Sequence, residues 1–389
     1  MPRPTLVLVV AALSAFGLLA SDVYLSAMPV MARQLGVAGW QMPETVSVYL
    51  MALAAAQLFY GPLSDRWGRK PVLIAGILLY IAGSIGCALA VGFTSFLGWR
   101  MVEAVGAASG LVIGRAVIAD TCDKKTSAKV YSVVYPLVSL SPALAPAIGG
   151  YLATAFGWRA DFLFVAVFGA IALCLTLTLL NETRPEHHHD GAFLAGFTAV
   201  LRNGAFIRYA LVVCTIYCAW FVYLTQSPFL FERLGLPETV SGWLYLPLTC
   251  GIILANFVSK RLIEHLSYDG IVTGGVCFFC LGGLTFVLTL ASPVMSAATI
   301  VAPMFLVSLS NGSSLSLAVS GAIASEPKHA ATASGLVGFF QIGSASLAAL
   351  GVSACFGTGR PVLATAILAF SIVAAIAIIP RWLEARRSL

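Results

Sequence analysis

Ten residues, GPLSDRWGRK from Gly61 to Lys70, constrain this chain more than any other stretch. They sit between two long apolar runs, Glu44–Leu63 and Val72–Val91, each about long enough to cross a bilayer. Asp65, Arg66, Arg69 and Lys70 crowd into six residues of a chain in which only 10% of residues are charged. That density marks where water begins. Its positive balance assigns the stretch to the cytoplasmic side. Gly61 and Pro62 favour a turn between two helix ends, so a charged hairpin is expected here.

Composition agrees. Of 389 residues, 59% are hydrophobic, and the mean hydropathy of +0.94 leaves too little polar surface for a soluble protein of this size. At about 20 residues per crossing the length fits roughly twelve helices. The apolar runs are continuous, which argues against a membrane β-barrel. The expected fold is an all-α integral membrane protein, with twelve transmembrane helices in two pseudo-symmetric six-helix bundles. The bundles span residues 1–180 and 206–389, and the polar stretch 181–205 joins them on the cytoplasmic side. Within that stretch Gly191–Leu201 is mildly amphipathic, and His187–His189 read as a solvated loop. Nine cysteines are scattered through apolar runs. Neither Cys214/Cys218 nor Cys277/Cys280 has histidines or acids around it, so packed thiols are expected, with no metal and no cofactor.

Positive charge gives the orientation. Of 22 Lys and Arg, sixteen fall on one side of the expected helices. Four, Arg33, Arg159, Arg233 and Arg360, fall on the other; Arg100 and Arg115 lie within a helix. With an even number of crossings both termini are cytoplasmic. The net charge of +6 thus reflects membrane orientation. Nucleic-acid binding would need a basic soluble module, and none is present.

Charges inside helices are where chemistry is expected. Asp22 is the sole acid of the first helix, read as Thr5–Pro29, and belongs to its outer half. Arg100 and Glu103 share one turn of the fourth helix, read as Phe96–Ile118, at a similar depth. A coupled cluster follows, in which protonation of Asp22 releases Arg100. Glu103 is either a second proton carrier or the partner that neutralises Arg100. Gly106, Gly110 and Gly114 on the same helix form a small-residue seam for close packing. Arg159 and Asp161 read as an outer turn. The second half carries no deep acid or base. A cavity for a flat, moderately apolar solute is expected from Tyr24, Tyr49, Gln57, Tyr135, Tyr217, Trp220, Tyr223, Asn311 and Gln341.

These motifs resemble the major facilitator superfamily. GPLSDRWGRK is similar to its signature between the second and third helices. Trp99-Arg100 through Gly106 resembles its fourth-helix signature, with Glu103 where glutamine is usual. Pro142 to Gly150 resembles the fifth-helix antiporter signature, with Ala145-Pro146 in place of Gly-Pro. Asp22 to Pro29, Ile113 to Asp120 and Tyr223 to Phe229 resemble the Bcr/CflA drug:proton antiporters. The resemblance implies a monomeric, proton-driven exporter of drugs or small metabolites in the bacterial inner membrane, with lipid, protons and a small-molecule substrate as its partners. It also implies gating roles for Gly61, Asp65, Arg66, Gly68 and Arg69, with Asp65 latching to the start of the eleventh helix near Ala330–Thr332. Pro146, Gly149 and Gly150 would gate from the fifth helix. An importer or facilitator of a metabolite such as a nucleoside or siderophore is the alternative within transport. A receptor or channel is the alternative outside it, and no nucleophile or metal constellation supports an enzyme.

Overall fold

The computed structural model describes residues 9, 12–13, 17, 19–122, 144–184, 195–291, 294–326 and 330–387. Tyr135, Pro136, Pro142 and the three adjacent histidines lie outside them. Among the described residues the chain is helical with turns, and ten helices are long and apolar enough to cross a membrane. Among the described residues, helical positions also precede the break, ending at Asp22, and a shorter apolar helix lies at Leu144–Phe156. Surface side chains such as Phe59, Leu89, Val91 and Phe156 are 70–92% exposed. Such a surface is stable only against lipid.

Contacts divide the chain into two units. The first comprises Met1–Asp190 together with Leu236–Tyr245. After the opening helix come a 3-10 turn, Leu25–Ala27, and then α1 (Met28–Leu35), α2 (Pro43–Trp67), α3 (Arg69–Leu89), α4 (Phe93–Thr121), α5 (Leu144–Phe156) and α6 (Arg159–Leu179). α4 packs along α2 and α3, and α3 also packs on α6. In the expected glycine seam, Gly106 packs closely: a Cβ there would overlap the backbone of Tyr80 on α3.

The second unit comprises Gly191–Gly235 and Leu246–Leu389. It contains α7 (Ala195–Arg202) and α8 (Gly204–Arg233). The short α9 (Glu238–Trp243) follows in sequence but packs with the first unit. Then come α10 (Leu246–Leu262), α11 (Tyr268–Thr289), α12 (Ala297–Ser310), a π-helical stretch at Asn311–Leu315, α13 (Ser316–Ala324), α14 (Ala330–Phe356) and α15 (Arg360–Arg387). α8 packs against α14 and α15, and α11 against α12 and α15.

Three expectations need correction. The first helix does not run unbroken to Pro29; it breaks at Val23–Tyr24, and α1 restarts with Pro29 in its first turn, where its missing N–H costs nothing. The eighth helix, expected to run unbroken, is split at Leu244–Tyr245 into α9 and α10. Finally, GPLSDRWGRK is not a loop. α2 continues through Pro62 to Trp67, and the whole turn is Gly68, whose φ of 99° is one that only glycine adopts readily.

Candidate proton and substrate site

Arg100 lies two turns into α4, deeper than expected, and is fully buried. Its Nη1 donates to Glu103 Oε2, one turn along the helix, and to the carbonyl of Ala20 at 3.1 Å. The guanidinium lies over the rings of Tyr49, 4.0 Å from its centroid, and Tyr24, 4.7 Å, with Phe162 at 5.8 Å. A desolvated cation gains from such ring faces. Each tyrosine is tied down at its hydroxyl. Tyr49 donates to the Gly17 carbonyl at 2.6 Å. Tyr24 lies 2.8 Å from Thr45 Oγ1, and because Thr45 gives its own proton to Met42 O, Tyr24 is the donor. Two of the residues expected to line a cavity are therefore buried as walls around Arg100.

Glu103 is equally buried. Ser84 on α3 donates to its Oε1 at 2.8 Å, and the Cys87 thiol lies 3.9 Å from Oε2. Gly83 makes this meeting possible, since a Cβ there would overlap the backbone of Glu103. The expected Asp22–Arg100 pair is not formed. Arg100 is neutralised by Glu103, because helical spacing puts that carboxylate on the same face. Arg100 Nε and Nη2 have no hydrogen-bond partner among the described residues.

Asp22 stands at the last helical residue before the break and is 3% exposed. Ser21 Oγ donates to its Oδ1 at 2.7 Å. The break that follows packs on α5. A Cβ at Gly149 would overlap the Val23 carbonyl, and Ser26 Oγ donates to the Pro146 carbonyl at 2.9 Å. On its other side α5 meets α9: a Cβ at Gly150 would overlap Glu238 O, and one at Gly242 would overlap Pro146 O. The acid, the break and the proline–glycine helix thus form one contiguous assembly within the first unit.

The Gly61–Lys70 stretch is tied to neighbouring helix ends. Arg69 pairs with Asp65, donates from Nε to Asp120 Oδ2 at 2.9 Å and from Nη1 to Ser64 Oγ at 2.7 Å. Arg184 holds the Arg66 carbonyl at 3.0 Å, and Lys70 Nζ reaches the Leu177 carbonyl at 3.1 Å. Glu182 caps α3, accepting from the amides of Arg69 at 2.9 Å and Lys70 at 3.1 Å. Partial burial pushes its carboxyl up, but those amides together with Thr183 and Arg184 outweigh this and hold it below the ordinary glutamate range. Sequence reading missed Glu182, although an acid beside a helix N-terminus is a recognisable signal.

The remaining candidates are dispersed. Gln57 on α2 is part-buried, with no hydrogen-bond partner for Nε2 among the described residues. In the second unit, Tyr217, Trp220 and Tyr223 lie on α8, with the Tyr217 ring tilted against that of Phe221, centroids 5.0 Å apart. Asn311 opens the π-helical stretch, and Gln341 lies on α14. Two further polar residues had not been assigned to the site. Gln226 on α8 is 1% exposed, and neither amide atom finds a partner among the described residues. Asp161, read as an outer turn, is instead fully buried in the first turn of α6 with both oxygens unpartnered among the described residues. Its position two residues after Arg159 made it look solvated. Among the described residues no group of three or more His, Cys, Asp or Glu could hold a metal ion, and all nine cysteines are free thiols.

A family model described as Major Facilitator Superfamily matches residues 8–349. A chloramphenicol resistance protein of Pseudomonas aeruginosa is 28% identical over 354 residues, covering 90% of this chain and 84% of that protein. The multidrug resistance protein MdtL of Klebsiella pneumoniae is 34% identical over 216 residues, 55% of either chain. MdtL of Shigella dysenteriae is 40% identical over 164 residues, 42% of either chain, so these matches span about half the length of the MdtL relatives or less. Among solved structures, the partially occluded, inward-open xylose transporter XylE from E. coli superposes with a TM-score of 0.75 at 13% identity, over 97% of this chain and 96% of that one. A bacterial homologue of the human lysosomal transporter Spinster, inward-facing and occupied, gives 0.74 at 16% identity, over 99% and 98%. At these identities the two structures establish the fold.

Proposed function

Because the chain belongs to the Major Facilitator Superfamily, a family of transporters and not enzymes, we propose that it is a proton-coupled exporter of a small, moderately apolar drug or metabolite. It works by alternating access in the bacterial inner membrane, with both termini cytoplasmic. Similarity to chloramphenicol and multidrug resistance proteins supports this class of cargo. The sixteen-to-four split of positive residues supports the orientation.

The observation that carries the reading is Asp22, a buried acid at a helix break, set beside an Arg100 whose charge Glu103 already balances. Because Glu103 serves Arg100, and because Asp22 rather than Asp161 adjoins the helix break, Asp22 is assigned to take up and release a proton. Loss of the proton puts an uncompensated charge next to Val23–Tyr24 and favours a rearrangement that brings water or a donor to the carboxylate. The break contacts Pro146 and Gly149, so its movement is passed to α5. Arg100 Nε and Nη2 supply donors for a polar group on the substrate, and Tyr24 and Tyr49 supply ring faces. Gln57, Tyr135, Tyr217, Trp220, Tyr223, Asn311 and Gln341 complete the proposed substrate set. Gly61, Asp65, Arg66, Gly68 and Arg69 serve as the inner gate, and Pro146, Gly149 and Gly150 as the outer one.

The test uses the purified chain in proteoliposomes with an imposed pH gradient and chloramphenicol as probe. Asp22→Asn imitates the protonated form. The variant is expected to bind the probe as the parent does and to lose gradient-driven accumulation. Full gradient-driven transport by the variant would remove Asp22 from the coupling step.

A further inference from the structure

Hydroxyls inside the helices of the second unit commonly satisfy themselves. Thr215 and Thr225 on α8, Thr285 on α11 and Ser308 on α12 each donate to a carbonyl of the preceding turn, at 2.7–2.9 Å. That bond is open to any Ser or Thr inside a helix. Thr249 on α10 and Ser310, the last residue of α12, do not make it. Thr249 is 1% exposed and Ser310 0%, and neither hydroxyl has a partner among the described residues. Gln226 on α8 is a third such group, with Oε1 and Nε2 both unmatched. The three lie on helices that meet at one irregularity. Ser310 directly precedes the π-helical stretch Asn311–Leu315, which packs on both α8 and α10. Widened turns of this kind collect at functional sites. Close approaches set the depths: Tyr209 meets Gly321, Gly251 meets Phe305 and Ser308, and Ala255 meets Gly312. At about 1.5 Å per residue Gln226 stands about 25 Å along α8 from Tyr209, level with Met304 on α12. Thr249 stands at about that level too, and Ser310 about 9 Å deeper.

Buried amides and hydroxyls are nearly always paired, so three unmatched groups around one stretch call for a ligand. Residues 212–231, 246–259 and 297–316 contain no acid or base, so the group they await is uncharged. The Gln226 amide offers C=O and N–H side by side. Its complement is a solute that shows N–H and C=O on a single edge. A cyclic amide or imide does this, whereas an open-chain secondary amide holds the two trans. Tyr223 lies one turn back along the same side of α8 and gives a ring face for a flat solute. Resting on the exporter reading, we propose that Gln226 selects solutes carrying a cyclic amide or imide, pairing with its N–H through Oε1 and with its carbonyl through Nε2. Thr249 donates to a carbonyl of the same ring, and Ser310 takes a polar substituent deeper in the unit.

The test is isothermal titration calorimetry of the purified full-length protein in detergent with phenylsuccinimide and its N-methyl derivative, which keeps both carbonyls and loses the N–H. The parent is expected to bind the N–H imide about tenfold more tightly, the scale of a hydrogen bond whose loss leaves a buried acceptor unmatched. Gln226→Met keeps the length of the side chain and should bring the two affinities together. Thr249→Val should weaken both compounds alike and leave their ratio. Equal affinities in the parent, or no measurable binding of either compound, would overturn the proposal without any variant having to fold. A ratio unchanged by Gln226→Met would overturn it too. Gradient-driven accumulation of chloramphenicol by the parent is measured alongside. Its absence removes the exporter reading, whereas its presence with an unchanged Gln226→Met ratio removes the cyclic-amide assignment alone.

Discussion

Arg100 and Glu103 stand one turn apart on α4, are both fully buried, and form an ion pair with no other ionic partner among the described residues. A buried pair adds little net stability while intact, yet breaking it leaves one charge uncompensated. Glu103→Gln is therefore expected to cost about 3–5 kcal/mol. Arg100→Met combined with Glu103→Leu should recover most of that stability without restoring transport. Thermal unfolding in detergent distinguishes the variants, and a Glu103→Gln protein as stable as the parent would refute the assignment.

Gly149 has no room for a side chain, because the Val23 carbonyl occupies the place of its Cβ. Gly149→Ala must push the helix break away from α5. Overpacking of this kind costs about 1–3 kcal/mol. Transport should fall further than stability, because the displaced segment adjoins Asp22. Comparing melting temperature with transport in proteoliposomes tests this, and equal losses in both would contradict it.

Glu182 gives a pH dependence of known sign. Its folded-state value is depressed from the ordinary 4.5. The stabilisation it contributes is complete above that ordinary value and is lost as pH falls through the depressed one. The melting-temperature difference between the parent and Glu182→Gln should be constant from about pH 8 to 6 and shrink only below about pH 4.5. A difference that already shrinks between pH 7 and 6 would be inconsistent with the α3 cap.

Asp161 has no hydrogen-bond partner for either oxygen among the described residues, so a neutral isostere sacrifices no observed contact. Asp161→Asn should melt at or above the parent temperature, since burial of an unpaired polar or charged group is unfavourable. A fall of several degrees would reveal a partner that forms in another conformation.

Much of the fold was legible because membrane crossing imposes a crude, strong pattern: long apolar runs, charges at their ends, positive residues on one side. The same crudeness hid the interruptions. Nothing in the run from Thr5 to Pro29 announces a break at Val23–Tyr24, because what lies against it is a glycine more than a hundred residues away. Pro62 suggested a helix end where α2 continues to Trp67. At the site, sequence spacing put Arg100 beside Glu103 correctly, but approximate depth alone suggested Asp22 as its partner. Local geometry decided that contest: a residue one turn away on the same helix is already in reach, whereas Asp22 had to be delivered by another segment. Asp161 was misjudged for the converse reason, since a charged neighbour in sequence says nothing about which side chain turns inward.

The π-helical stretch at Asn311–Leu315 has the form of a single residue inserted into one continuous rod. Gly312 there abuts the Ile252 carbonyl, and the Ser314 hydroxyl donates to the Val272 carbonyl at 3.0 Å. Deleting one residue from the stretch would restore regular winding and turn everything after it by about 100°. Ala318 and Ala322, now fully buried, would swing off their neighbours. The helix on either side is therefore phased for a different set of contacts, and loss of a single codon here would be felt across α13 more severely than most substitutions.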